Sequence, residues 1–153
     1  MIRQASVEDI SNERVTKRHG RVVVVTRYYP RFLKKKLIDD YFVVLAPPKE
    51  LLREFKDKEE KMDADHDGAF EAMHYESKFT LSEEGLAVLQ ELAEESKKRP
   101  IYLVCHCKLG QYCHREILML AARELFGASI AKVHHPYLTI LKRLEGGGLL
   151  QAD

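Results

Sequence analysis

An α/β domain, with a small and mostly parallel sheet flanked by helices in a three-layer-like arrangement, is the fold class this sequence predicts. Three observations carry it. Four consecutive valines, Val22, Val23, Val24 and Val25, have the unbroken apolar character of a strand buried on both faces. A second such run, IYLVC at residues 101–105, sits between two segments with helical periodicity. Helix, short connection and strand in that order make half of a parallel crossover unit. Core strands are therefore expected near residues 21–26 and 101–105.

The 153 residues suffice for one domain with a continuous core, and neither an internal repeat nor a second domain is visible. Residues 1–19 are polar and are expected to be peripheral, with Ser6 able to cap a short turn. Residues 41–45 suit a short strand ended by Pro47 and Pro48, and Leu51, Leu52 and Phe55 then form one helical stripe. Asp63, Asp65 and Asp67 resemble the start of a calcium loop, but its twelfth position holds His74 where a bidentate glutamate is needed. An acidic helix start or loop is expected there instead, within an outer layer or lid that also contains Phe70 and Met73. Thr80 and Glu83 have capping-box spacing ahead of Leu89, Leu92 and Ala93, and Pro100 closes that helix. A second helix through Ile117, Leu118, Ala121 and Ala122 should end at Gly127. Residues 130–133 suit another short strand, 137–144 a final amphipathic helix, and 145–153 a flexible tail introduced by three glycines.

Lys and Arg number 25 against 24 for Asp and Glu, so the whole-chain charge of +1 attracts no polyanion by itself. The first residues lack an apolar leader, and no run reaches membrane-spanning length. A cytoplasmic protein without a membrane partner is expected. Three cysteines crowded between positions 105 and 113 fit reduced thiols better than a disulfide framework.

Chemistry concentrates in residues 99–126, where a strand runs into the loop CHCKLGQYCHR and then into a helix. Ligands of α/β proteins collect outside the carboxyl ends of strands, next to helix N-termini. Cys105, Cys107 and Cys113 with the imidazole of His106 or His114 invite a zinc reading, which His134 and His135 from the neighbouring segment could complete; one residue between the first two cysteines is poor spacing for a zinc knuckle. A thiolate near a helix start and Arg115 would have a lowered pKa. A phosphatase loop needs Cys, five residues and Arg, whereas Cys107 lies eight positions before Arg115 and Cys105 ten. No CxxC exists for redox exchange. The reading that asks for the least special geometry is an anion pocket in which Arg27, Arg31, Arg115 and Lys108 bind a phosphate, nucleotide or carboxylate. His114 would handle a proton, and Cys105 and Cys113 would shape the site or supply a thiol. No metal and no cofactor enter this expectation. Against it stands the plainer possibility that both cysteines are buried small hydrophobes and that His114 and Arg115 are hydrogen-bonded core residues.

The valine strand followed by Thr26, Arg27, Tyr28, Tyr29, Pro30 and Arg31, the segment LAPPKELLREF, and the strand ending in Cys105 followed by Cys113, His114 and Arg115 resemble the prokaryotic domain-of-unknown-function family number 488, particularly its YeaO-like branch. The resemblance spans roughly residues 20–126. It implies a small α/β protein in which Arg27, Pro30 and Arg31 form one polar motif, and Cys105, Cys113, His114 and Arg115 the other. Many members carry an aspartate shortly before the first arginine, where this chain has Thr26.

Two function classes compete with the enzyme or ligand-binding reading. One is a nucleic-acid-binding module built on segment 27–36, where Arg27, Arg31 and Lys34 to Lys36 mingle with Tyr28 and Tyr29. The other is a structural or interaction protein with no reaction.

Overall fold

Both apolar runs form the strands they predict. A computed structural model describes residues 1–151. It contains β1 (Ile2–Ser6), β2 (Arg21–Val24), β3 (Asp40–Tyr41) and β4 (Ile101–Cys105), hydrogen-bonded in the order β1-β4-β2-β3. Every pairing is parallel; Val24 and Ser6 stand beside Val104 and Cys105 respectively, so these strands deliver their carboxyl ends to one edge.

Alternation along the strands divides the interior in two. Val23, Val25, Ile101 and Leu103 join the larger core, packed with α5 (Glu83–Glu95), α6 (His114–Phe126) and α7 (Leu138–Gly146). Val22, Val24 and Val104 join a smaller core closed by Ile10 of α1 (Val7–Ser11) and by Leu33 and Ile38. Three further helices, α2 (Lys49–Lys61), α3 (His66–Ala72) and α4 (Tyr75–Lys78), form the layer expected of the middle region. Pro48 begins α2, and Gly127, at φ 70°, ends α6 in the left-handed region. Among the described residues, no helix is long and apolar enough to cross a membrane.

Several expectations change. Residues 2–6 are an edge strand of the sheet, not a peripheral segment: Ile2 and Ala5 are fully buried, and a pairing with β4 overrides a polar sequence. The strand expected at 41–45 shrinks to Asp40–Tyr41, and Val43–Leu45 turns into a 3-10 helix. Ser82 rather than Thr80 caps α5, its hydroxyl accepting from the Gly85 amide at 3.0 Å. Residues 130–133 supply only a bridge between Ile130 and Ile2. In the expected tail, 145–146 belong to α7 and Leu149 is fully buried, with Leu150 bridged to Leu81; residues 152–153 lie outside the described residues.

Candidate functional site

The carboxyl ends of β2 and β4, the first turn of α6 and the helices α2 and α3 enclose a cavity of about 690 Å³. Three rings, Phe70, Tyr75 and Tyr112, stack in its wall at centroid distances of 4.4 and 4.5 Å. Arg27, Arg31, Lys56 and Lys108 line it against one carboxylate, Glu59, so the lining is cationic. Arg27 donates through Nε and Nη2 to the Pro47 carbonyl, at 3.1 and 2.8 Å, and Nη1 has no acceptor among the described residues. Arg31 and Lys108 are exposed and pair with no carboxylate among the described residues.

The floor is sulfur and imidazole. Cys105 ends β4, Cys113 is the N-cap of α6, and His114 follows as its first residue. His114 Nδ1 lies 3.9 Å from the sulfurs of both Cys105 and Cys113, while its Nε2 bonds to the Val25 carbonyl at 2.9 Å. The carbonyl requires Nε2 to carry a hydrogen, which turns Nδ1 toward the sulfurs. The charge settles on Cys105. The neighbouring Cys107 and Cys113 thiols, aided by His114, bring its pKa well below the ordinary thiol range despite burial. Burial alone would lower the His114 pKa, but the charge of Cys105 outweighs it and pushes the imidazole up to about 10. Cys107 is pushed the other way, foremost by the neighbouring Cys105, and Cys113 rises through burial and the same neighbours; both stay thiols. The donor atoms of Cys105, Cys113 and His114 lie within 4.8 Å of one another.

His134 and His135 do not complete a zinc site at these sulfurs. His134 Nδ1 bonds to Glu116 at 2.9 Å, and His135 stacks on Tyr112 at 3.7 Å.

Arg115 departs furthest from expectation. One helical step of about 100° separates it from His114, and its side chain runs away from the cavity to the end of β1. It is 0% exposed, with Nε donating to Gln4 Oε1 at 2.6 Å and Nη1 to the carbonyls of Ala5 at 2.8 Å and Cys107 at 3.2 Å. It does not line the cavity, so the expected clamp with Arg27 does not form, and Arg115 instead holds the backbone that presents Cys107. Beside it Glu116, also fully buried, accepts from Gln4, from the Tyr137 hydroxyl and from both the amide and the ring of His134. Burial would raise the Glu116 pKa, but these hydrogen bonds prevail and lower it.

The sequence reading missed His66 and Asp67. His66 lines the cavity with Nε2 3.5 Å from Cys107 Sγ, and its Nδ1 meets Asp67 Oδ1 at 2.9 Å. The same oxygen accepts from the Tyr112 amide at 3.0 Å, fastening the cysteine loop to α3. One signal could have found the pair: Asp65 and Gly68 have N-cap spacing, and Asp65 Oδ1 does accept from the Gly68 amide. That helix start places His66 in its first turn.

No curated protein and no solved structure matched the chain. A family model did, that of DUF488-N3a, described as the active DUF488-N3 subclade, over residues 6–125. Its span takes in β2, the cationic loop after it, β4 and nearly all of α6, and by that match the chain belongs to the DUF488 family.

Proposed function

We propose that the protein is an enzyme that binds a small anionic substrate in this cavity and performs thiol chemistry on it. The observation that carries the reading is the meeting, in one cavity, of a cationic and aromatic lining with the Cys105 and Cys113 sulfurs, each 3.9 Å from the His114 imidazole. Arg27, Arg31 and Lys108 hold a carboxylate or phosphate, and the rings cover a flat portion of the ligand. His114 is the proton reservoir of the floor, and Cys105 and Cys113 shape it and fix its charge. Titratable groups with shifted proton affinity that line a cavity are candidates for a functional site. The subclade's description as active accords with this reading. A reducing cytoplasm is the compartment in which these cysteines would stay thiols.

Protection from alkylation tests it. Iodoacetamide labelling of the cavity cysteines is followed by intact mass at rising inorganic phosphate and citrate. Saturable protection is expected, and its loss in a variant with Arg31→Met and Lys108→Met. Labelling that no anion slows would contradict the reading.

A second reading has one observation in its favour. Phe32 is 95% exposed and Tyr28 61%, beside Arg31 and the three lysines, while Asp40 nearby is already paired with Arg21. Rings among cations are the elements of a single-stranded nucleic-acid surface. Titration with a single-stranded oligonucleotide at two salt concentrations tests it, and no binding at the lower salt would remove it.

A further inference from the structure

Cys107, His66 and Asp67 come from two distant parts of the chain and meet in the cavity wall in the order of a nucleophile, its base and the group that orients the base. The geometry points to Cys107 Sγ as the atom that attacks the substrate, with His66 as its general base and Asp67 as the positioning residue behind the base. This rests on the reading of the cavity as an enzyme site and names the reacting atoms within it.

Four observations carry the assignment. Cys105 is only 6% exposed, with His114 Nδ1 3.9 Å from its sulfur, whereas Cys107 is half-buried and faces the cavity. Cys107 stays a thiol, so its attack needs a base, and His66 Nε2 is placed at its sulfur. The His66 ring is held: Asp67 accepts from Nδ1, which leaves the lone pair on Nε2, and Phe55 packs on it edge to face at 5.1 Å. On the far side, Arg115 bonded to the Cys107 carbonyl fixes the backbone of the nucleophile.

The substrate class that suits a thiol, a base and an orienting carboxylate is an acyl compound, here one with a negative charge for Lys108 and Arg31. Cys107 Sγ bonds to the acyl carbon as its proton passes to His66 Nε2. The bond from that carbon to the leaving group breaks with its electron pair on the leaving group, which takes the proton from His66. Water then attacks the acyl carbon and gives a proton to His66; the sulfur-carbon bond breaks, and the sulfur recovers that proton.

Peptide mapping after substoichiometric iodoacetamide on the native, full-length protein tests this. The expected result is one adduct, on Cys107. His66→Gln should slow that labelling by about 100-fold or more, the usual contribution of a positioned base. Asp67→Asn keeps an acceptor for the Tyr112 amide, so it should leave the thermal midpoint in place while moving the half-maximal pH of labelling downward, because an imidazole without a carboxylate beside it becomes a free base at lower pH. An adduct on Cys105 with Cys107 unmodified, or an unchanged rate in His66→Gln, would overturn the assignment and leave the enzyme reading standing. Absence of any cysteine adduct on the folded protein would overturn both.

Discussion

Arg115 Nη1 donates to the carbonyl of Cys107 across eight residues of chain, and the same nitrogen holds the carbonyl of Ala5. A guanidinium that would suit an anion at a helix start is thus turned inside the protein, where Nε and Nη1 lock β1, the cysteine loop and α6 together and Nη2 is buried without a partner among the described residues. Arg115→Met would keep most of the volume and take the donor from three acceptors, of which the Ala5 carbonyl is buried and the other two are part-buried. The expected loss is about 1–3 kcal/mol, the cost of one buried group left unsatisfied. Urea unfolding measures it, and an unchanged midpoint would contradict the locking role.

The Cys105 and His114 pair predicts an unusual pH profile. His114 is raised in the fold, so its contribution is complete below about pH 6.5 and is lost as pH rises through about 10. Cys105 is lowered, so its contribution is complete above about pH 8.5 and is lost as pH falls through the folded value. Between those ordinary values the two slopes cancel. The stability difference between the wild type and Cys105→Ser should therefore be flat from about pH 6.5 to 8.5 and shrink on both sides. A difference that rises or falls steadily across that interval would show that the pair is not ionised together.

Tyr137 serves the floor from behind. Its hydroxyl donates to Glu116 at 2.7 Å and receives the Cys113 amide at 3.1 Å, so one oxygen satisfies a buried carboxylate and the amide at the N-cap of α6. Tyr137→Phe should cost about 1–3 kcal/mol in urea unfolding. It should also shift unfolding by acid to higher pH, because Glu116 is lowered in the fold and its contribution disappears as pH falls. A variant as acid-resistant as the wild type would argue against that link.

Gly20 makes a backbone prediction. A Cβ there would stand 2.5 Å from the Pro100 carbonyl oxygen, at the point where that oxygen accepts from the Arg21 amide and starts the pairing of β2 with β4. Gly20→Ala should destabilise by about 1–3 kcal/mol, the range for overpacking. Thermal unfolding is the measurement, and an unchanged midpoint would mean that the strand junction yields.

Much of the fold was legible because β2, β4 and α6 carry their own patterns: an apolar run, a second one, and a helical stripe ended by Gly127. β1 carried none. IRQAS is an edge strand specified by its partner β4, and a polar sequence at an edge has no periodicity to announce it. Within the site, Arg27, Arg31, Lys108, Cys105, Cys113 and His114 come together as the strand-end rule expects, since that rule concerns topology. Arg115 did not follow, because neighbouring helical residues point in different directions and only packing decides which faces the cavity. His66 was hidden by composition: in an acidic stretch it read as solvated charge, and only the folding of α3 against the cysteine loop brings it to Cys107.

The central claim is that an anion and a reactive thiol meet in one cavity. The rate of alkylation by iodoacetate relative to iodoacetamide, each referred to a free thiol such as glutathione, measures both at once. The cationic lining predicts a ratio about 10-fold or more above that of glutathione, equivalent to about 1.4 kcal/mol of attraction, and its fall toward the glutathione value when Arg31 and Lys108 are replaced by methionine. A ratio equal to that of glutathione in the wild type would contradict the account.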